Sequence, residues 1–278
     1  MRLRFLLVLA GLALAADAAA FPQSNHPAML DPSKATEKAP DTFRAKFETT
    51  KGDIVFECTR DWAPNGVDRF YNLVKIGFFD DITLFRVAKG FVVQWGIHGD
   101  PKVSAAWGHA NLPPDKPKQS NTRGMLTYAM AGRPDTRSTQ VFINYGDNTN
   151  LDAMGFAPIC KVTEGMEVAD SFYSGYGEAV TEQQGPITMQ GNEYLKAKWP
   201  KLDAIKTATI VGEAPADRGG AKPAAKEESS IVPWVVGGVV VLAIAFVVVN
   251  RKKEEPPKPK EDEAKPRRKK KKRRPESP

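Results

Sequence analysis

Apolar and polar residues alternate over Phe43-Arg44-Ala45-Lys46-Phe47-Glu48-Thr49, break at Thr50-Lys51-Gly52-Asp53, and turn apolar again from Ile54 to Cys58. An alternating run, a glycine-containing turn and a returning apolar run predict a β-hairpin. Pro64 then opens a stretch in which Val67, Phe70, Tyr71 and Val74 recur at i, i+3, i+4 and i+7, with Gly77 as a stop. That spacing lines one face of a helix. Further strand-like runs fall at residues 83–87, 91–96, 125–130, 140–145 and 156–162. A second short helix fits 165–173, ahead of Gly175, and 204–211 reads as a last strand. About eight strands with one helix early and one late predict a β-rich single domain over 43–213. Closing so many short strands into a barrel would remove their exposed edges.

The two ends of the chain read differently. Residues 1–20 carry Arg2 and Arg4, then an apolar run from Phe5 to Ala16, then Ala18-Ala19-Ala20. A positive start, a short apolar stretch and a small-residue finish predict a signal peptide. Residues 21–42, rich in proline, alanine and charge, read as a flexible lead-in, and 214–230 as a Gly/Ala/Lys linker. Residues 231–249 form a run without a charge. A helix of that length spans about 28 Å, close to the roughly 30 Å hydrocarbon core of a bilayer. A transmembrane helix is therefore expected over 231–250, with Trp234 near one interface and Arg251-Lys252-Lys253 at the other.

Charge sharpens this division. Residues 251–278 hold 14 Lys/Arg against 6 Asp/Glu, a net +8 that exceeds the +7 of the whole chain, so the body is nearly neutral. The positive-inside rule assigns this proline-interrupted basic tail to the cytoplasm and the 43–213 domain to the opposite side, periplasmic in a bacterium. The tail is too polar to form a core. Its role is read as fixing topology and touching anionic lipid; no specific nucleic acid is expected, and a monomer is expected. The two cysteines, Cys58 and Cys160, sit in strand-like runs and belong to no Cys-x-x-Cys pair. A disulfide, permitted by export, and two buried thiols are equally open. His26, His98 and His109 are scattered, so no metal-ligand cluster is visible and no cofactor is implied.

The candidate chemistry lies in Phe85-Arg86-Val87, then Gly90-Phe91-Val92-Val93-Gln94, then Gln140-Val141-Phe142-Ile143. An arginine and two glutamines inside apolar runs cost free energy unless paired or placed in a site. With the segment from Asn121 to Gly132, and Leu151-Asp152 followed by Gly155-Phe156-Ala157-Pro158, these runs resemble the cyclophilin family of peptidyl-prolyl isomerases. The resemblance covers roughly 43–211. It implies an all-β fold, a closed eight-stranded antiparallel barrel capped by two helices. It also implies catalysis of X–Pro isomerisation in proline-containing polypeptides, here exported and folding ones.

Resemblance assigns Arg86 and Gln94 as catalytic: a guanidinium that stays charged, and an amide that binds the substrate carbonyl and holds the arginine. It assigns Phe91, Val92, Phe142 and Leu151 to the proline pocket, Ala129, Met130 and Gln140 to the substrate backbone, and Phe156 to substrate binding at the family's histidine position. Each aromatic or aliphatic side chain taken alone reads as core packing. Four positions depart from the family's pattern. Val92 replaces a methionine, Met130 an asparagine, Asn150 a tryptophan, and Phe156, or Gly155 given a one-residue gap, a histidine. Activity with altered inhibitor response is expected. The reaction breaks no bond to its substrate, so it needs no nucleophile. Two other readings remain: a proline-peptide binding module without turnover, and a cytoplasmic adaptor acting through the tail.

Overall fold

The computed structural model describes residue 21 and residues 23–213. The expected signal peptide, the 214–230 linker, the 231–250 span and the basic tail lie outside the described residues. Among the described residues no helix is long and apolar enough to cross a membrane.

The predicted hairpin is formed by β1 (Thr42–Thr49) and β2 (Asp53–Thr59), which pair antiparallel. Helix α1 (Pro64–Lys75) follows. Proline at its first turn needs no N–H partner, and the Asp115 carboxylate accepts the free N–H groups of Asn65 (3.1 Å) and Gly66 (2.9 Å). Its apolar face, Val67, Phe70 and Val74, is fully buried. Then come β3 (Ile82–Thr83), β4 (Arg86–Ala88), β5 (Val92–Trp95), α2 (Pro101–Trp107), β6 (Met125–Tyr128), β7 (Val141–Asn144), α3 (Asn150–Ala153), β8 (Pro158–Glu164), α4 (Met166–Asp170), α5 (Gln184–Lys198) and β9 (Ala204–Ile210).

The strands make one sheet in the order β3-β9-β1-β2-β8-β6-β7-β5-β4, each pairing antiparallel. Its two edges are consecutive in the chain, separated by Leu84 and Phe85 alone. The sheet therefore curls until both edges are halves of one segment, 82–88. In place of eight strands the described residues form nine, because this segment pairs with β9 through its first half and with β5 through its second. Leu84 and Phe85 are both buried, but in different clusters. Leu84 enters the main core around Phe47, Phe56, Phe70 and Trp95, while Phe85 joins Val180, Ile187 and Leu195 outside the sheet.

Three further differences have local causes. The two expected capping helices become five among the described residues: α1 stands where expected, and α4 is shorter than the 165–173 reading. The longest, α5, escapes a periodicity argument because Gly185, Pro186 and Gly191 interrupt it. Gly191 has φ +61°, and a side chain there would collide with the Gly99 carbonyl, so glycine is what lets α5 kink against the 98–101 loop. Part of the lead-in, within residues 26–39, packs on the domain. Ala28, Met29 and Ala39 are buried, Trp107 Nε1 donates to the Met29 carbonyl (3.1 Å), and Asp68 accepts from Ala39 N–H (2.9 Å). Cys58 and Cys160 are direct cross-strand partners on β2 and β8 and form a disulfide, which closes the question left open above.

Candidate active site

Alternation along three neighbouring strands builds the site. Arg86 on β4 stands opposite Gln94 on β5, and Gln94 opposite Phe142 on β7. These side chains share the sheet's outer face with Val92, while Val87, Val93, Trp95, Val141 and Ile143 turn into the core. Arg86 Nη1 donates to Gln94 Oε1 at 3.1 Å, and Gln94 Nε2 donates to Gln140 Oε1 at 2.8 Å. The Arg86 guanidinium also lies 5.3 Å from the centre of the Phe91 ring, which steadies it by cation–π attraction. Gln140 approaches because Gly96 (φ +113°) has no side chain; a Cβ there would strike the Thr139 carbonyl.

Beside this polar row lies an apolar floor. Val92, Phe142 and Leu151 are buried together, and Phe91, Ala129 and Phe156 pack on them. Phe156 meets Phe142 edge to face at 5.8 Å. Leu151 is held by its neighbour: the Asp152 carboxylate accepts from Ser120 Oγ (2.5 Å), Asn121 N–H (2.8 Å) and Asn121 Nδ2 (2.7 Å). Burial pushes that carboxyl up, but these bonds outweigh it and leave the group below its usual range. Asn121 also donates to the Phe156 carbonyl (2.9 Å), so one asparagine ties both halves of the loop.

A cavity of about 220 Å³ opens here, lined by Arg86, Phe91, Val92, Gln94, Ala129, Met130, Phe142, Leu151 and Phe156. Gln140, the remaining residue named from sequence, lines an adjoining depression of about 210 Å³ with Gln94, Ala129 and Met130. Phe156, not Gly155, reaches the cavity, and exposed Asn150 does not. A larger depression, about 340 Å³, lies beyond Gln140 along His98, Ser104 and His109, but it lacks an arginine. Of these two, the smaller cavity joins a fixed cation to an apolar floor.

Three residues around this cavity carry no signal in the sequence. Thr181 and Gln184 line it, and Glu178 pairs with Arg86. Glu178 and Thr181 come from the stretch between α4 and α5 and Gln184 is the first residue of α5, a region whose glycines and mixed polarity give no periodicity to read.

The model of the family described as cyclophilin type peptidyl-prolyl cis-trans isomerase/CLD matches residues 44–191. Peptidyl-prolyl cis-trans isomerase A of Dickeya dadantii is 33% identical over 161 residues, covering 53% of this chain and 82% of the relative. Peptidyl-prolyl cis-trans isomerase B of Escherichia coli is 32% identical over 178 residues, 60% of this chain and 98% of the relative. Among solved structures, a cyclophilin type isomerase of Cryptosporidium parvum aligns with 62% of this chain and 99% of its own, at 20% identity and a TM-score of 0.47. The chain belongs to the cyclophilin-type peptidyl-prolyl cis-trans isomerase family, and it is an enzyme of that activity.

Proposed function

We propose that Arg86 and Gln94 carry the isomerisation, and that the floor of Phe91, Val92, Phe142, Leu151 and Phe156 seats the proline ring. The observation that supports this most is the arginine itself: a guanidinium bonded to Gln94, stacked on Phe91, at the rim of an apolar cavity. Rotation about an X–Pro bond faces a barrier near 20 kcal/mol because the amide C–N bond is partly double. In the twisted state that conjugation is lost and the proline nitrogen becomes an acceptor. A fixed N–H donor beside it stabilises the twisted form more than either planar form, which is what lowers a barrier. Gln94 and Gln140 offer amides to the substrate backbone, and Ala129 and Met130 line its path. The Met130 side chain has no strong hydrogen-bonding group, so polar contacts to that stretch of peptide fall to backbone groups and to Gln140.

The substrates proposed are exported polypeptides, whose folding slow X–Pro bonds can limit. The apolar run at 231–249 and the basic stretch at 251–278 support a single-pass anchor with the 43–213 domain outside the cytoplasm and the tail inside, against anionic lipid. The Cys58–Cys160 disulfide suits an oxidising compartment.

The test is proline-peptide isomerisation by the protein and by Arg86→Ala. Removing a positioned charged donor typically costs a few kcal/mol of transition-state stabilisation, about 10²–10³ in rate. Wild-type turnover by a folded Arg86→Ala protein would sink the assignment.

A further inference from the structure

The stretch from the end of α4 through Gln184, the first residue of α5, is built into the site from outside. Its Val180 is fully buried against Phe85, Ile187 and Leu195. Tyr176 sits between the rings of Tyr173 and Trp199, 5.0 Å from each centre. On that base it presents polar groups to both ends of the row described above. Glu178 Oε1 accepts from Arg86 Nε (3.1 Å) and Arg86 Nη2 (2.8 Å). At the other end Gln140 Nε2 donates to Gln184 Oε1 at 3.1 Å. The row Glu178, Arg86, Gln94, Gln140, Gln184 thus begins and ends on one segment.

We propose that Glu178 is a positioning residue of the isomerase, holding the Arg86 guanidinium by its Nε/Nη2 edge so that Nη1 is aimed at Gln94 and the cavity. This rests on the reading that Arg86 carries the reaction. Arg86 lines the cavity and Glu178 does not, so the carboxylate grips from behind and takes no space from substrate. A planar guanidinium held on one edge and stacked on Phe91 has surrendered its rotational freedom before a peptide arrives. Hydrogen bonds from Arg86, helped by Thr181 and opposed by burial, keep the Glu178 carboxyl below its usual range, so the grip persists at neutral pH. The Glu178 side chain is 52% exposed, which limits the pair to a modest effect.

The experiment uses the full chain and its variants Glu178→Gln, Glu178→Asp and Arg86→Ala. It reads kcat, KM, melting temperature and the ¹⁵N signal of the Arg86 Nε–H. Glu178→Gln is expected to lower kcat about two- to fivefold, a loss of the size an exposed charged pair supplies, with KM within about twofold. Its Arg86 Nε–H signal should shift and exchange faster with water. Glu178→Asp, which keeps the charge on a shorter arm, should fall between, and it stands in if Glu178→Gln fails to fold. Full turnover by Arg86→Ala would overturn both the site and this role. A slow Arg86→Ala beside a Glu178→Gln with unchanged or raised kcat, a loss confined to KM, or an unmoved Nε–H signal overturns the positioning role alone.

Discussion

Phe142 shows how one side chain serves two ends. It is 4% exposed, packs edge to face on Phe156, and forms part of the cavity floor. Truncation to alanine removes a wall from the proline pocket and leaves a void. Phe142→Ala should raise KM more than Arg86→Ala does and lower stability by about 3 kcal/mol, as buried Phe truncations do. Peptide titration and thermal melting check this; both unchanged would place the residue outside pocket and core. His98 gives a pH prediction. Burial lowers its pKa from 6.5 to about 4, against an opposing pull from Asp100, and Nδ1 already accepts the Asp100 N–H at 2.9 Å. The unfolded chain then binds a proton that the folded one refuses. Stability contributed by neutral His98 is present above pH 6.5 and declines as pH falls toward 4, by about 3 kcal/mol. Melting curves across that window should show the decline, and His98→Gln should flatten it; equal slopes would remove His98 as the cause.

Between elements, the disulfide is the strongest single tie. It joins β2 to β8 across a sequence separation of 102 residues. Cross-linking so long a loop restricts the unfolded chain, an effect typically about 2–4 kcal/mol. The Cys58→Ala/Cys160→Ala protein should therefore melt lower by that equivalent. Its isomerase rate at low temperature should stay within about twofold, since Arg86, Val92, Gln94 and Phe142 stand on β4, β5 and β7 and not on the cross-linked strands. A rate collapse in the folded double variant would mean that β2 and β8 transmit strain to the cavity. At this scale the sequence was legible where one face of an element meets one core: β1 and α1 follow their apolar periods. It was illegible in α5, where glycine and proline mask the helix and tertiary contacts through Ile187 and Leu195 override propensity.

The whole molecule divides its charge as the anchor proposal requires, a nearly neutral body and a tail of net +8. If 231–250 spans a bilayer with 251–278 inside, protease added outside intact cells or spheroplasts should cut within 214–230. It should release an active 43–213 domain and leave the tail protected. Full-length protein in the soluble fraction, or a tail cleaved from outside, would overturn that orientation. Moving residues 251–274 through the membrane instead is opposed at roughly 2.5–3.5 kcal/mol for each basic residue at a helix centre.

The sequence by itself determined which residues face the core and which chemistry is on hand. Periods of two and 3.6 report burial, and an arginine and two glutamines in apolar strands announce a site because such groups are costly elsewhere. Tertiary structure alone decided who stands opposite whom. Register sets Gln94 between Arg86 and Phe142 and Cys58 against Cys160, and the fold carries Glu178, Thr181 and Gln184 to the cavity across some ninety residues of chain. Local periodicity holds no record of such pairings, because they follow from how the sheet curls to bring its edges onto one segment. That curling depends on the packing of every strand at once.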